Sequence, residues 1–415
     1  MRHEESEPPA AEHRILELTE PSYMAAFSCL GGACPDTCCQ RWDIVLDAAT
    51  CEKYAHSHDA DFRHEVAQAI EHRQEDGQEI AVIRLGHGQR CPFLRNDGWC
   101  LIQRRTSEYY LSEVCRTYPR VLHVWNETQA ERALCVSCIG AAQLILGSDA
   151  PLRFVTREMD EAEWAGLRIA DRGEKLAPQS LGLRALSIEI LQQRRWPLWQ
   201  RLRLADDFFW AAAGLQGHHA ERHFAALAAD CRQQLAGPAA AAETVDTAAR
   251  LELLRRLMVH RLQSRELRGD VRQRIEDALV RWQAAAAAPV SSAAVRLYAQ
   301  DRELYELEVM PQFGGLAENF LVNGIFADVF VMAADTSFYA GWFRLLLQFV
   351  LLRTLLVAAA AAEQAVPPRE EAVWLAHLVA QAIGHDALYL AQARSLLAAG
   401  GDEAAAVQAF CRVMV

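Results

Sequence analysis

Apolar and polar positions change rhythm near residue 150. Before that point the apolar residues come in short bursts between turn formers. Glu79-Ile-Ala-Val-Ile-Arg-Leu85 is rich in β-branched residues and predicts a strand. Val121–Trp125 and Arg132–Val136 flank a polar stretch at 126–131, which predicts a β-hairpin. Helices are expected at Ala49–His56, Asp61–Gln74 and Gly140–Leu146. After residue 150 the apolar spacing is helical, as in Leu183, Leu186, Ile190 and Leu191, and again in Leu251, Leu254, Leu257, Met258 and Leu262. Breaks are expected at Gly237-Pro238, Pro289, Pro311, Pro367-Pro368 and Gly400-Gly401. Arg250 to Arg281 reads as one Arg-rich helix with a solvated, ion-paired face. Phe343 to Ala362 has almost the length of a bilayer span, but Arg344 and Arg353 interrupt it, so a buried helix is expected and no membrane insertion.

The pattern predicts a mainly α protein. A cysteine-rich α+β metal-binding domain with short strands occupies residues 16–150, and an all-helical domain occupies 151–415. Residues 1–15 are expected to form a disordered tail: the first fourteen are polar and acidic, with no apolar run and no signal-peptide cleavage site. The chain of 415 residues suits two domains, and its net charge of −12 argues against a nucleic-acid partner. Nothing in the pattern sets an oligomeric state.

Ten of the twelve cysteines fall between Cys29 and Cys138. Without a secretory signal the chain is expected in the cytoplasm, where thiols stay reduced and clustered cysteines point to metal or catalysis. Only Cys34-x3-Cys38 and Cys135-x2-Cys138 have the spacing of zinc knuckles; the others are dispersed singles. Soft thiolates gathered from several elements suit zinc, an iron–sulfur cluster, or two separate sites, and spacing does not choose among them. The Cys-x3-Cys-x2-Cys loop of radical adenosylmethionine chemistry is absent, since Arg41 stands three positions after Cys38. No G-x-G-x-x-G, G-x-S-x-G or H-E-x-x-H occurs. His56 and His58 are expected at the surface, Cys231 and Cys411 in the helical core, and Cys51 and Cys135 outside any ligand set.

Several phrases together resemble the flagellin lysine N-methylase family, with its cysteine-rich CxxCxxCC-type iron- or zinc-chelating domain. They are Pro21-Ser-Tyr-Met-Ala-Ala-Phe-Ser-Cys29, Gly31-Gly-Ala-Cys-Pro-Asp-Thr-Cys-Cys39 with Trp42, Cys91-Pro-Phe-Leu94, Cys100-Leu-Ile-Gln103, Leu111–Arg120 and Ser137-Cys138. Glu318-Asn-Phe-Leu-Val-Asn323 with Phe326 extends the resemblance into the helical part. The resemblance implies methyl transfer from S-adenosylmethionine to lysine ε-amino groups of flagellin. It also implies a [4Fe–4S] cluster, with zinc as the alternative metal, and Cys29, Cys34, Cys38, Cys39, Cys91, Cys100, Cys115 and Cys138 as the ligand pool. Eight thiols exceed the four that one cluster takes. Family members carry Pro-Glu-Ala after the last of these cysteines, where this chain has Ile139-Gly140-Ala141.

Methylating lysine requires a neutral amine, hence aromatic rings to guide the ammonium and a base to take its proton. Tyr118 and Tyr23 are the first candidates, with Glu318, Asp36 and Glu113 as acids. Two other readings compete: a zinc- or iron-binding interaction module without activity, and a thiol redox sensor.

Overall fold

In the computed structural model the chain is described from residue 15 onward, apart from residues 43, 76, 127, 161–178, 216–219, 241–245, 264–266, 285–288, 330–337, 385, 399–402 and 415. Most of the expected tail therefore lies outside the described residues. Ile15 does not belong to it, because it opens the first strand.

The division near residue 150 needs correction. One compact unit takes Met1–Ser22, Cys39–Ala133 and Arg153–Lys175; the other takes Tyr23–Cys38, Leu134–Leu152 and Leu176–Val415. Two cysteine-bearing segments thus fold with the helices. The reason is visible in Ile-Gly-Ala-Ala-Gln-Leu-Ile-Leu, residues 139–146: most of this helix is buried, so it requires helices rather than a small sheet around it.

The first unit holds two sheets. β1 (Ile15–Pro21), β5 (Arg120–Val124), β6 (Gln129–Leu134) and β7 (Phe154–Asp160) form one, in the order β5-β6-β1-β7. β5 and β6 are the expected hairpin. β7 corrects the expectation that everything beyond 150 is helical: it pairs antiparallel with the whole of β1, from Ile15↔Asp160 to Pro21↔Phe154. It is a sheet edge with Val155 exposed and Met159 as its buried anchor, so it carries little apolar alternation to read. β2 (Ile44–Leu46), β3 (Ile70–Glu75) and β4 (Gln78–Ile83) form the second sheet, ordered β2-β4-β3. β3 shortens the helix expected over 61–74. Gly77, at φ +77, makes the reversal that pairs Ile70 with Ile83. Helices α1 (Ala48–Ala55), α2 (Ala60–Ala69), α3 (Leu101–Arg105) and α4 (Glu113–Thr117) complete the unit.

The second unit contains α5 (Ile139–Leu146), α6 (Gln179–Leu191), α7 (Leu198–Ala213), α8 (Ala220–Ala236), α9 (Thr247–Leu262), α10 (Gly269–Arg281), α11 (Ser292–Leu304), α12 (Met310–Gly324), α13 (Phe338–Glu363), α14 (Arg369–Gly384), α15 (Ala387–Ala398) and α16 (Glu403–Met414). α13 is long and apolar enough to cross a membrane, yet 78% of its apolar window is buried among its neighbours. Phe209 stacks on its Trp342 at 4.9 Å. Arg353 donates to the Met414 carbonyl, and Arg344 to that of Gly384. The Arg-rich stretch is two helices, α9 and α10, rather than one. Its face is not uniformly solvated either, because Arg250 and Arg261 are buried.

α12 organises this unit. Glu318, 1% exposed, accepts from Arg194 (2.9 Å) and Arg201 (2.8 Å). The Asn319 amide donates to the carbonyls of Ile145, Ser148 and Ala150, closing the end of α5. Asn323 donates to the Leu134 carbonyl and accepts from the Tyr23 hydroxyl. Gly315 permits close approach: an added Cβ would lie 2.6 Å from the Asp149 Cα. Gly315→Ala is therefore expected to cost about 1–3 kcal/mol through overpacking. An unchanged denaturation midpoint would contradict this packing.

Candidate metal centre

Cys39, Cys91, Cys100 and Cys115 all belong to the first unit and pack in or against one apolar cluster. Cys91 opens a turn in which the Leu94 amide donates to the Cys91 carbonyl, and Leu94 bridges Cys100. Gly98, at φ +79, reverses the intervening loop, and the Arg95 amide donates to the Trp99 carbonyl at 2.9 Å. The Cys91 amide donates to the Cys39 carbonyl at 3.0 Å, setting the segment of Cys39 alongside. Cys115 sits in α4, whose N-cap Ser112 accepts from its amide. Asp47 accepts from the amides of Thr50 and Glu113, and so joins the starts of α1 and α4. Sequence reasoning passed over Asp47. The signal was there, an Asp immediately before a helix with Thr three residues on.

Electrostatics marks the group. Burial pushes the Cys91 thiol up to about 12, and neighbouring thiolates at Cys39, Cys115 and Cys100 add to it. Cys115 is likewise pushed up to about 12 by burial, with Cys39 and Cys100 contributing. Cys100 rises for the same two reasons. Four sulfurs that oppose each other's ionisation are a donor set that a cation would relieve. Tyr54 supports that fit. Its buried hydroxyl has no hydrogen-bond partner among the described residues, and burial, then the charges of Cys115 and Cys100, keep it protonated. Cys51 packs against the same apolar cluster, closer than the sequence suggested.

The second unit holds the remaining four, Cys29, Cys34, Cys38 and Cys138. Burial raises the Cys34 thiol, and Cys138, Cys29 and Asp36 add their charges. Cys138 is the N-cap of α5, an end that favours negative charge. Beside it, an added Cβ at Gly140 would meet Leu30 at 3.3 Å, so Leu30 occupies the room an acidic side chain would need. The loop Cys34–Cys38 is anchored at Asp36, which is buried and accepts from Arg268 (2.5 Å), His377 (2.7 Å) and Gln381 (3.2 Å). Burial alone would raise this carboxyl; hydrogen bonds from His377 and Arg268, and the Arg268 charge, hold it well below the usual range. The Gln381 amide also donates to the Ser137 carbonyl, next to Cys138. His377 went unnoticed in the sequence, although a histidine inside the apolar run of α14 was its signal.

All twelve cysteines are free thiols. Among the described residues no three Cys, His, Asp or Glu side chains stand close enough to grip an ion as placed. The pool of eight divides four and four between the units. Cys231 and Cys411 are buried in the helical core, as expected.

The three acid–base candidates do not share one unit. Tyr118 lies in the first, half-buried, its ring 5.9 Å from that of Trp42. Tyr23 and Glu318 lie in the second, where both are buried. The Tyr23 hydroxyl is engaged by Asn323 and the Leu134 amide, and Glu318 by its two arginines. Both geometries pin structural elements. Glu318→Gln leaves the Arg201 guanidinium buried without a counter-charge, with an expected loss of about 3–5 kcal/mol. An unchanged denaturation midpoint in that variant would contradict the structural role of this ion pair.

The family model described as the FliB lysine N-methylase C-terminal domain matches residues 184–407. A flagellar biosynthetic protein FliU of Salmonella muenchen is 32% identical over 132 residues, 32% of this chain and 78% of that protein. Proteins named lysine-N-methylase from Salmonella typhimurium and Salmonella choleraesuis are each 31% identical over 132 residues. These matches cover 32% of this chain and 33% of each methylase. No solved structure matches the chain.

Proposed function

The chain belongs to the FliB lysine N-methylase family, and from that premise we propose that it transfers methyl groups from S-adenosylmethionine to lysine ε-amino groups of a flagellin, in a reducing compartment. The observation that carries this reading is the family match over residues 184–407. The cysteine motifs named above support it by their resemblance to the family's cysteine-rich domain.

Cys39, Cys91, Cys100 and Cys115 are the residues that would hold an iron–sulfur cluster, or zinc in its place. A cluster bound there through all four thiolates would have each iron occupied, so it would hold these segments in place and supply redox character rather than an open position for adenosylmethionine. The rest falls to side chains. A lysine has a pKa of about 10.4 in water and must lose its proton before it attacks the methyl carbon. Within the first unit, Trp42 and Tyr118 form a tilted aromatic pair, and Cys39 and Cys115 lie three residues from one or the other in the chain. Such rings draw in an ammonium by cation–π attraction and strip its water. The Tyr118 hydroxyl would accept a hydrogen bond from the lysine ammonium and relay its proton to water, which carries it away. The Asp36 anchor is a positioning group for the Cys34–Cys38 loop.

The test is anaerobic purification, metal analysis, then incubation with labelled adenosylmethionine and flagellin, read by mass spectrometry. Methyl groups are expected on flagellin lysines. No incorporation by metal-loaded protein would end the reading for this substrate. Tyr118→Phe is expected to lower turnover about 10²-fold or more, the usual scale of acid–base assistance. Metal content should not change. A variant with normal rates would remove Tyr118 from the reaction.

A further inference from the structure

The second unit contains a cavity of about 750 Å³ that none of the proposed ligand cysteines lines. Its wall draws on α7, α9, α11, α12, α13 and α16. Five of its residues are arginines, Arg203, Arg250, Arg302, Arg353 and Arg412, against two acids, Asp246 and Glu306. Asp246 is already committed, since its carboxylate caps α9 by accepting from the amides of Ala248 and Ala249. Glu306 lies 3.4 Å from Arg302. Arg412 faces Asp207 at 3.8 Å, and within the wall itself the arginines outnumber the acids.

Arg250 is the telling residue. It is fully buried, at 0% exposure. Its Nε donates to the Val413 carbonyl at 2.7 Å, but neither Nη1 nor Nη2 has a hydrogen-bond partner among the described residues. Burial, then the charges of Arg353 and Arg302, pull its pKa down to about 9. It is still charged at neutral pH, and buried unpaired charge is costly. Two N–H donors on one rigid plane suit a phosphate or carboxylate. The cavity has the volume of a small organic ligand rather than a bare ion. Trp199 and Phe349 supply apolar wall for its body.

We infer that this cavity binds a small organic oxyanion, phosphate- or carboxylate-bearing, whose charged group is gripped by Arg250 together with Arg302 and Arg353. The methyl donor does not suit it. Adenosylmethionine carries a sulfonium and an ammonium against one carboxylate, a net positive charge that an arginine-rich wall repels. The cavity is thus a second small-molecule site, separate from the transfer reaction.

Thermal unfolding and titration calorimetry of the full chain test this, using inorganic phosphate, adenosine monophosphate and citrate against chloride at matched ionic strength. At least one oxyanion is expected to raise the melting temperature in proportion to its concentration. Response to phosphate and adenosine monophosphate identifies a phosphate ligand; response to citrate alone identifies a carboxylate. Arg250→Gln is expected to weaken that binding by ~10-fold or more, the scale of losing charged hydrogen bonds. Arg302→Gln, at a half-exposed position, should weaken it less and carries the test if the first variant does not fold. The inference is overturned if no anion outperforms chloride, if both variants bind as the parent does, or if S-adenosylhomocysteine displaces the bound anion.

Discussion

Asp36→Ala is expected to destabilise the helical unit by about 3–5 kcal/mol, the cost of removing one member of a buried ion pair. The substitution strands two donors at once. His377 is 0% exposed, its Nδ1 already lacks a partner among the described residues, and Arg268 is largely covered. The effect should reach the cysteines as well as the melting curve. Asp36 stands between Cys34 and Cys38, and Gln381 joins its carboxylate to the backbone before Cys138. Cys34 and Cys138 are therefore expected to react faster with a thiol reagent in the variant. Asp36→Asn keeps an acceptor and should lose less. The pH dependence has a definite sign. The folded carboxyl is held low, so its contribution is complete above the unfolded value of about 3.9 and fades as the pH falls below it toward the folded one. The Asn variant should lack that acid-side slope. A variant as stable as the parent, with unchanged thiol reactivity, would show that the anchor is ornamental.

The second large effect is expected at the four thiols of the first unit. Cys100→Ser and Cys115→Ser should each lower bound iron or zinc to a small fraction of the parent's and abolish methylation with it. A serine oxygen is a hard, poorly ionised donor in a site chosen for soft thiolate. Cys51→Ser is the control, since Cys51 shares the apolar surroundings without the thiolate coupling. It should keep its metal. The same measurement on Cys34→Ser and Cys138→Ser shows whether the helical unit's four thiols hold a second metal. Full metal in the Cys100 and Cys115 variants would dismantle the proposed centre.

The elements with local causes were legible in the sequence. β4 follows from its β-branched residues and the β5–β6 hairpin from its two flanking runs, while α1 lies where a helix was expected although its cap, Asp47, passed unremarked. The cysteine pool announced itself by density. What stayed hidden depends on partners far along the chain. β7 is an edge strand whose only signature is its pairing with β1. Asp36 looks like an ordinary turn residue until His377 and Gln381 are brought to it. Glu318 and Tyr23 drew attention as reactive groups because the residues that occupy them, Arg201 and Asn323, lie elsewhere in sequence. The eight-cysteine pool could not be divided from spacing, since Cys38 and Cys39 are neighbours in the chain and still fall in different units.

That interleaving has a consequence on the ribosome. Asp36 and His377 are 341 residues apart. At ordinary translation speeds the nascent loop waits roughly 20–70 s for its histidine. Arg268 arrives before it, but the anchor is incomplete until the histidine emerges, while the four thiols of the other unit have all emerged by residue 115. Maturation is therefore sequential, and a truncated transcript would leave a sulfur-rich stub open to oxidants.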